Sequence, residues 1–347
     1  MTTPPPAPKP GPATPPARPR RATVNDVASL AGVSAMTVSR AVNKPDQVPA
    51  ATLAKVRAAI AMTGYVPNLL AGGLRSNKSR LVAAVIPTLS GPVFLETVES
   101  LTAALADKGY QLMLGQSGYR HSREDDLLSA IIGRRPDGIV LTGITHTPEA
   151  RQRLLAAGIP IVETWDLTPN PLDMLVGFSH VDVGRAVCRY LHGRGRRRLA
   201  LIGGDDERSR RRCDAFMAMA RELGLPDVPV QLVAAPTTLG SGRAGLRALR
   251  EQASDIDAVF CSSDLLALGV LIEAQASGVR VPEQLGVIGF GDLSMSTDLH
   301  PALTTVRVDG SRIGAEAARC IVARAEGSDV GDRVVDIGFS IVERASV

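Results

Sequence analysis

Between residues 34 and 43, short polar side chains and one guanidinium fall at helical spacing. Ala35, Met36, Thr37, Ser39, Arg40 and Asn43 share the outer side of a helix whose inner side is Val38, Ala41 and Val42. Hydroxyls, an amide and a guanidinium are groups that reach phosphates and base edges when a helix lies in the major groove of DNA. Further along, hydrogen-bonding and aromatic residues concentrate in the segments that follow apolar runs: Ser117, Tyr119, Thr145, His146, Trp165, Asp166, Ser179, Ser262, Ser263, Asp264 and Asp292. Paired donors and acceptors beside an aromatic face suit a polyhydroxylated small molecule. The chain has no Gly-x-Ser-x-Gly elbow, no Gly-Lys-Ser/Thr phosphate loop and no His-Glu-x-x-His metal spacing. The acidic GGDDE at 203–207 reads as the loop after a strand. No catalytic residue, metal ligand or cofactor is expected, and the chain is not expected to be an enzyme.

The elements that must position these groups are legible. Thr23, with Asp26 three residues on, is an N-cap candidate, and Ser34, after Ala31-Gly32-Val33, is a second. Both caps are counted with the DNA-facing residues. Two short helices follow, with Val27, Ala28 and Ala31 on one inner face and Val38, Ala41 and Val42 on the other. From residue 81, strand-like runs such as LVAAVIP, DGIVLTG, RLALIGG and LGVIGFGD alternate with helical segments, among them 93–108, 181–192, 208–223 and 265–277. That alternation implies parallel sheets covered on both faces, in two doubly wound subdomains of about 81–178 and 179–304. Ligands of such sheets bind beyond the carboxyl ends of the strands, so the loops named above should face one cleft.

Composition sets outer limits. The chain has 347 residues, 45% hydrophobic but only 3% aromatic, with a net charge of +4. This describes a soluble protein with an aliphatic core and no overall charge that announces nucleic acid. Neither a membrane span nor a secretory leader is evident, so a cytoplasmic location without membrane contact is expected. Cys188, Cys213, Cys261 and Cys320 stand far apart and read as reduced, buried thiols. The Pro-, Ala- and Thr-rich residues 1–21 read as a disordered tail ending in Arg18, Arg20 and Arg21.

The string DVA-x-x-AGVS-x-x-TVSR-x-x-N closely resembles the headpiece of LacI-type transcriptional repressors, and the likeness continues through Gly64-Tyr65-Val66-Pro67-Asn68 and along the rest of the chain. The resemblance implies an all-α helix-turn-helix headpiece at 22–67, a hinge at 68–80, and an effector-binding and dimerisation domain at 81–347. That domain would have the periplasmic-binding-protein-like core, its last segments crossing back so that 306–328 joins the first subdomain and 329–347 the second. It also implies a hinge in which Leu74 wedges between base pairs in the minor groove, with Ala71 beside it and Asn68 at the start, although Gly72 and Gly73 replace longer polar residues. In the cleft, Arg212 of ERSRRRCDAF matches the family's effector-binding arginine. Ser263-Asp264 stands where Asn-Asp is usual, and Asp166, Phe178 and Phe94 fall at cleft positions. The segments GYQLMLGQSGY, TGITHTPEA and DMLVGFSHVDVGR are similar to the gluconate-utilisation repressors. The expected partners are double-stranded operator DNA, a small effector such as gluconate or a related aldonate, and a second copy of the chain. The absence of a leucine-heptad extension after residue 347 argues against a tail-mediated tetramer. Two alternatives remain: a regulator of this type answering to a neutral sugar or phosphosugar, and a sugar-binding protein without a DNA function.

Overall fold

The structure is a computed structural model that describes residues 22–66, 78–89, 91–119 and 121–347, which fall into two units divided after residue 77. In the first unit, α1 (Val24–Ala31), α2 (Ala35–Asn43) and α3 (Ala50–Thr63) bury one small core of Val27, Ala28, Val38, Ala41, Val48, Val56 and Ala59. Both expected caps form. Thr23 and Asp26 make a reciprocal capping box on α1, and the Ser34 hydroxyl accepts the Thr37 amide at the head of α2. Gly32 ends α1 in the left-handed region, φ 67°, where a side chain would be strained, and so makes the tight turn into α2.

The second unit contains two six-stranded sheets. The first has the order β11-β5-β4-β3-β1-β2, built from β1 (Leu81–Ile86), β2 (Gln111–Gln116), β3 (Gly138–Thr142), β4 (Ile161–Thr164), β5 (Met174–Gly177) and β11 (Val334–Asp336). The second has the order β12-β10-β9-β8-β6-β7, from β6 (Leu199–Gly204), β7 (Val230–Val233), β8 (Ala258–Cys261), β9 (Gly286–Phe290), β10 (Thr304–Arg307) and β12 (Ser340–Val342). Both repeat one doubly wound order, and among the described residues only β12 pairs antiparallel, with β10. The covering helices are α4 (Leu95–Asp107), α5 (His121–Ile132), α6 (Pro148–Ala157), α7 (His180–Gly193), α8 (Glu207–Glu222), α9 (Leu239–Gln252), α10 (Asp264–Ala276) and α11 (Gly310–Glu326).

The chain passes between the sheets three times, at 178–179, 308–309 and 337–339. The last two passages correct the expected boundaries. β10 pairs with β9, Thr304 opposite Ile288, which keeps the segment to 307 in the second sheet. β11 pairs with β5, Val334 opposite Leu175, which returns 334–336 to the first. A three-residue edge strand, one residue of it Asp, carries almost no periodic signal, so pairing alone decides where it belongs. All four cysteines are buried thiols, and none of the described helices is long and apolar enough to cross a membrane.

Packing between α7 and α8 sets the position of Arg212. A Cβ on Gly184 of α7 would stand 2.2 Å from the Arg212 carbonyl oxygen and 3.0 Å from Ala215 Cβ, so the helices meet at a contact that only glycine permits. Gly184→Val should force them apart and lower stability by about 1–3 kcal/mol or more, read as a lower melting temperature.

Candidate functional site

On the helical unit the predicted DNA-facing residues divide into two groups. Thr23, Ser34 and Thr37 are committed to capping, with Ser34 and Thr37 sharing a hydroxyl bond of 2.9 Å. Asn43 turns back on its own helix, donating to the Ser39 carbonyl at 2.9 Å. Ala35 is half-buried, while Met36, Ser39 and Arg40 stand exposed, Met36 at 63%. Asn68, Ala71 and Leu74 lie outside the described residues.

In the α/β unit, loops from the carboxyl ends of both sheets line a cavity. The first sheet contributes Thr88, Pro92 and Phe94 after β1, Tyr119 after β2 and Trp165 after β4. The second contributes Asp206, Arg208 and Arg212 after β6, Thr237 after β7, Ser262, Ser263 and Asp264 after β8, and Leu293 beyond β9. A more open cavity adjoins it, lined by Ser117, Thr142, Thr145, Asp166, Asp205 and Glu207, with Tyr119, Asp206 and Arg208 common to both. The two sheets place their strand ends as the switch-point rule requires.

Arg212 lines the first cavity and is only 5% exposed. Its guanidinium lies over the Phe290 ring, 3.9 Å from the centroid. Nη1 donates to His180 Nδ1 at 2.9 Å, and Nη2 donates to the Ser262 carbonyl at 2.8 Å and to Ser209 Oγ at 3.3 Å. Nε is buried without a protein partner. His180 must carry its proton on Nε2, because that atom faces the Trp165 carbonyl at 2.9 Å and a carbonyl only accepts. Burial, then the arginines around it, keep this imidazole neutral, well below its ordinary pKa. Burial also lowers Arg212 to about 10, which leaves it cationic at neutral pH.

Trp165 is held in the left-handed region, φ 65°, an unusual backbone for a bulky residue. Gly177 on the neighbouring strand makes room for this turn, since a Cβ there would lie 2.0 Å from the Asp166 carbonyl oxygen. The indole stacks edge-on against Phe94 at 5.0 Å and Phe178 at 5.9 Å and donates to Thr97 Oγ1 at 3.2 Å.

The structure brings Phe94, Tyr119, Trp165, Arg212, Ser263 and Asp264 to the first cavity and Thr145 and Asp166 to the more open one. Several have prior commitments. Ser263 caps α10 and bonds Thr237. Asp264 accepts from Leu293 N, Ser296 Oγ and Thr305 Oγ1, and burial raises its pKa. Asp166 accepts Arg211 Nη1 at 2.8 Å from the facing subdomain, and Thr145 donates to Glu207 at 2.6 Å across the same gap. Three expected ligand contacts are displaced. Phe178, fully buried, supports Trp165, His180 and Phe290 from beneath. Asp292 is held by Arg344 at 2.6 Å and Arg307 at 3.2 Å. His146 is clamped between Glu124 at 3.0 Å and Glu163 at 3.1 Å. Loop position alone cannot tell a side chain aimed into a cleft from one taken by a buried partner. His180, Asp206, Arg208 and Phe290 also line the first cavity, and no local signal in the chain distinguishes them from their neighbours.

The model described as "Bacterial regulatory proteins, lacI family" matches residues 23–68, and "Periplasmic binding protein-like domain" matches 188–347. The HTH-type transcriptional regulator GntR of Pseudomonas aeruginosa is 37% identical over 94% of this chain and 96% of its own length. The chain belongs to the LacI family. The Escherichia coli K12 regulator GntR is 32% identical over 94% of the chain and 99% of its own length. A LacI-family regulator from Silicibacter pomeroyi superposes with a TM-score of 0.89 at 33% identity, covering 94% of this chain and 99% of that one. These relatives are transcriptional regulators rather than enzymes, so this LacI-family protein is a DNA-binding regulator.

The His146 clamp generates a pH prediction. Burial alone would lower its pKa, but the bonds to Glu124 and Glu163 outweigh it and raise it to about 9. A raised pKa means stabilisation that is full below about 6.5 and lost as the pH climbs through about 9. His146→Gln should cost up to about 3 kcal/mol at neutral pH and flatten the decline of melting temperature across that window.

Proposed function

We propose that this LacI-family regulator is a cytoplasmic homodimeric repressor of sugar-acid catabolism, whose operator affinity falls when an aldonate such as gluconate occupies the cleft. The carrying observation is a cavity built by strand ends of both subdomains and lined by two guanidinium groups, Arg208 and Arg212, neither of which forms an ion pair among the described residues. An anion leaving water needs a fixed cation, and a polyol needs the hydroxyl and aromatic lining found here. Similarity to the GntR regulators supports the same reading. A ligand touching both subdomains would bias their separation, and coupling of about 1–3 kcal/mol suffices to change operator occupancy several-fold.

On DNA, each recognition helix α2 would enter one major-groove half-site of a pseudo-palindrome. Met36, Ser39 and Arg40 carry the contacts, Ala35 sets close approach, and Leu74 opens the centre. Arg40→Ala should weaken operator binding by about 1–3 kcal/mol, measured by fluorescence anisotropy; unchanged affinity in a folded variant would remove Arg40 from the interface. Calorimetry should show gluconate binding more tightly than glucose, with Arg212→Gln weakening both because the cavity wall it holds is lost. Glucose binding as tightly as the acid would leave a neutral sugar as the effector.

A further inference from the structure

Four arginines occupy the first two turns of α8, and they differ in what neutralises them. Arg210 pairs with Asp205. Arg211 pairs with Asp166 at 2.8 Å and Glu207 at 2.5 Å. Arg212 is surrounded by a neutral imidazole, a carbonyl and a hydroxyl, which occupy its terminal nitrogens. Arg208 forms no ion pair among the described residues. Its one protein hydrogen bond there runs from Nη1 to the Thr142 carbonyl at 3.1 Å, and its guanidinium lies 5.5 Å from the centre of the Phe94 ring. Asp206, two residues before it, spends both carboxylate oxygens on Ser209, the amide at 3.1 Å and the hydroxyl at 2.7 Å. Gly143 keeps the opposite wall clear, because a Cβ there would lie 3.1 Å from Arg208 Nη1.

Arg208 thus stands at the junction of the two cavities with Nε and Nη2 uncommitted, one helical turn from Arg212 on the same face. Nε and Nη2 form the side-on edge of a guanidinium, the edge that accepts a carboxylate in two parallel bonds. Arg212 offers no such edge, since Nη2 is shared between Ser262 and Ser209 and only Nε is left.

We propose that Arg208, rather than Arg212, reads the acid group of the ligand: it takes the carboxylate of an aldonate at the cavity junction. This rests on the sugar-acid reading above. Arg208 belongs to the second subdomain but rests on Thr142 and Phe94 of the first, so a carboxylate seated on it is held where the two subdomains meet. Recognition of charge and narrowing of the cleft are then one event.

The test is the ratio of affinities for gluconate and for neutral glucitol, which shares its carbon chain, measured by calorimetry and by the rise in melting temperature. In the wild type the ratio should favour the acid by at least about tenfold. Arg208→Gln should reduce it to within about twofold while glucitol affinity holds, and Arg208→Lys should restore part of it. Loss of the Thr142 bond or the Phe94 contact alone would weaken both ligands alike and leave the ratio intact. That result in a folded Arg208→Gln variant overturns the proposal but not the sugar-acid reading. A wild-type protein with no preference for the acid would overturn the reading itself.

Discussion

A guanidinium withdrawn from water must be given donors' partners in return, and the cleft of this protein is arranged around that requirement at Arg212. Its partners come from α7 through His180, from the end of β8 through Ser262, and from β9 through the face of Phe290. From His180 the hydrogen-bonded chain continues to the Trp165 carbonyl, and the Trp165 indole reaches Thr97, whose hydroxyl donates to the Gly310 carbonyl at the head of α11. One buried cation therefore fixes a tautomer, a strained tryptophan and two of the three passages between the sheets. Moving Arg212 would disturb the floor of the cavity and the passages that join the two sheets.

The helical unit follows the opposite economy. Its core is seven small aliphatic residues, so the termini of α1 and α2 depend on side-chain caps for definition. Those caps consume Thr23, Ser34 and Thr37. What is left facing outward is a thioether, a hydroxyl and a guanidinium on one turn of α2, beside polar residues that are already bonded.

Much of this was legible in the chain. Capping residues, the 3.6-residue periodicity of α1 and α2, and the alternation of apolar runs with helical segments are local signals, and the strands and helices stand close to where those signals put them. The cleft was legible as a set of loops, since strand ends in a doubly wound sheet all face one way. Which loop residues point inward was not, because it depends on partners remote in sequence: Glu124 and Glu163 draw His146 away, Arg344 and Arg307 draw Asp292 away, and Thr305 with Ser296 occupies Asp264. The final crossings were misplaced for the same reason. β10 and β11 are short, and only their pairing assigns them, β10 with β9 and β11 with β5, the latter across the whole second subdomain.

Those crossings have a consequence for how the α/β unit holds together. Each sheet is closed at one edge by a strand that arrives after the chain has visited the other, β11 for the first and β12 for the second. Neither subdomain is a continuous stretch of sequence, so no single cut liberates one intact from the other. The two must complete each other during folding and melt as a coupled pair, inseparable along the chain although each has its own sheet.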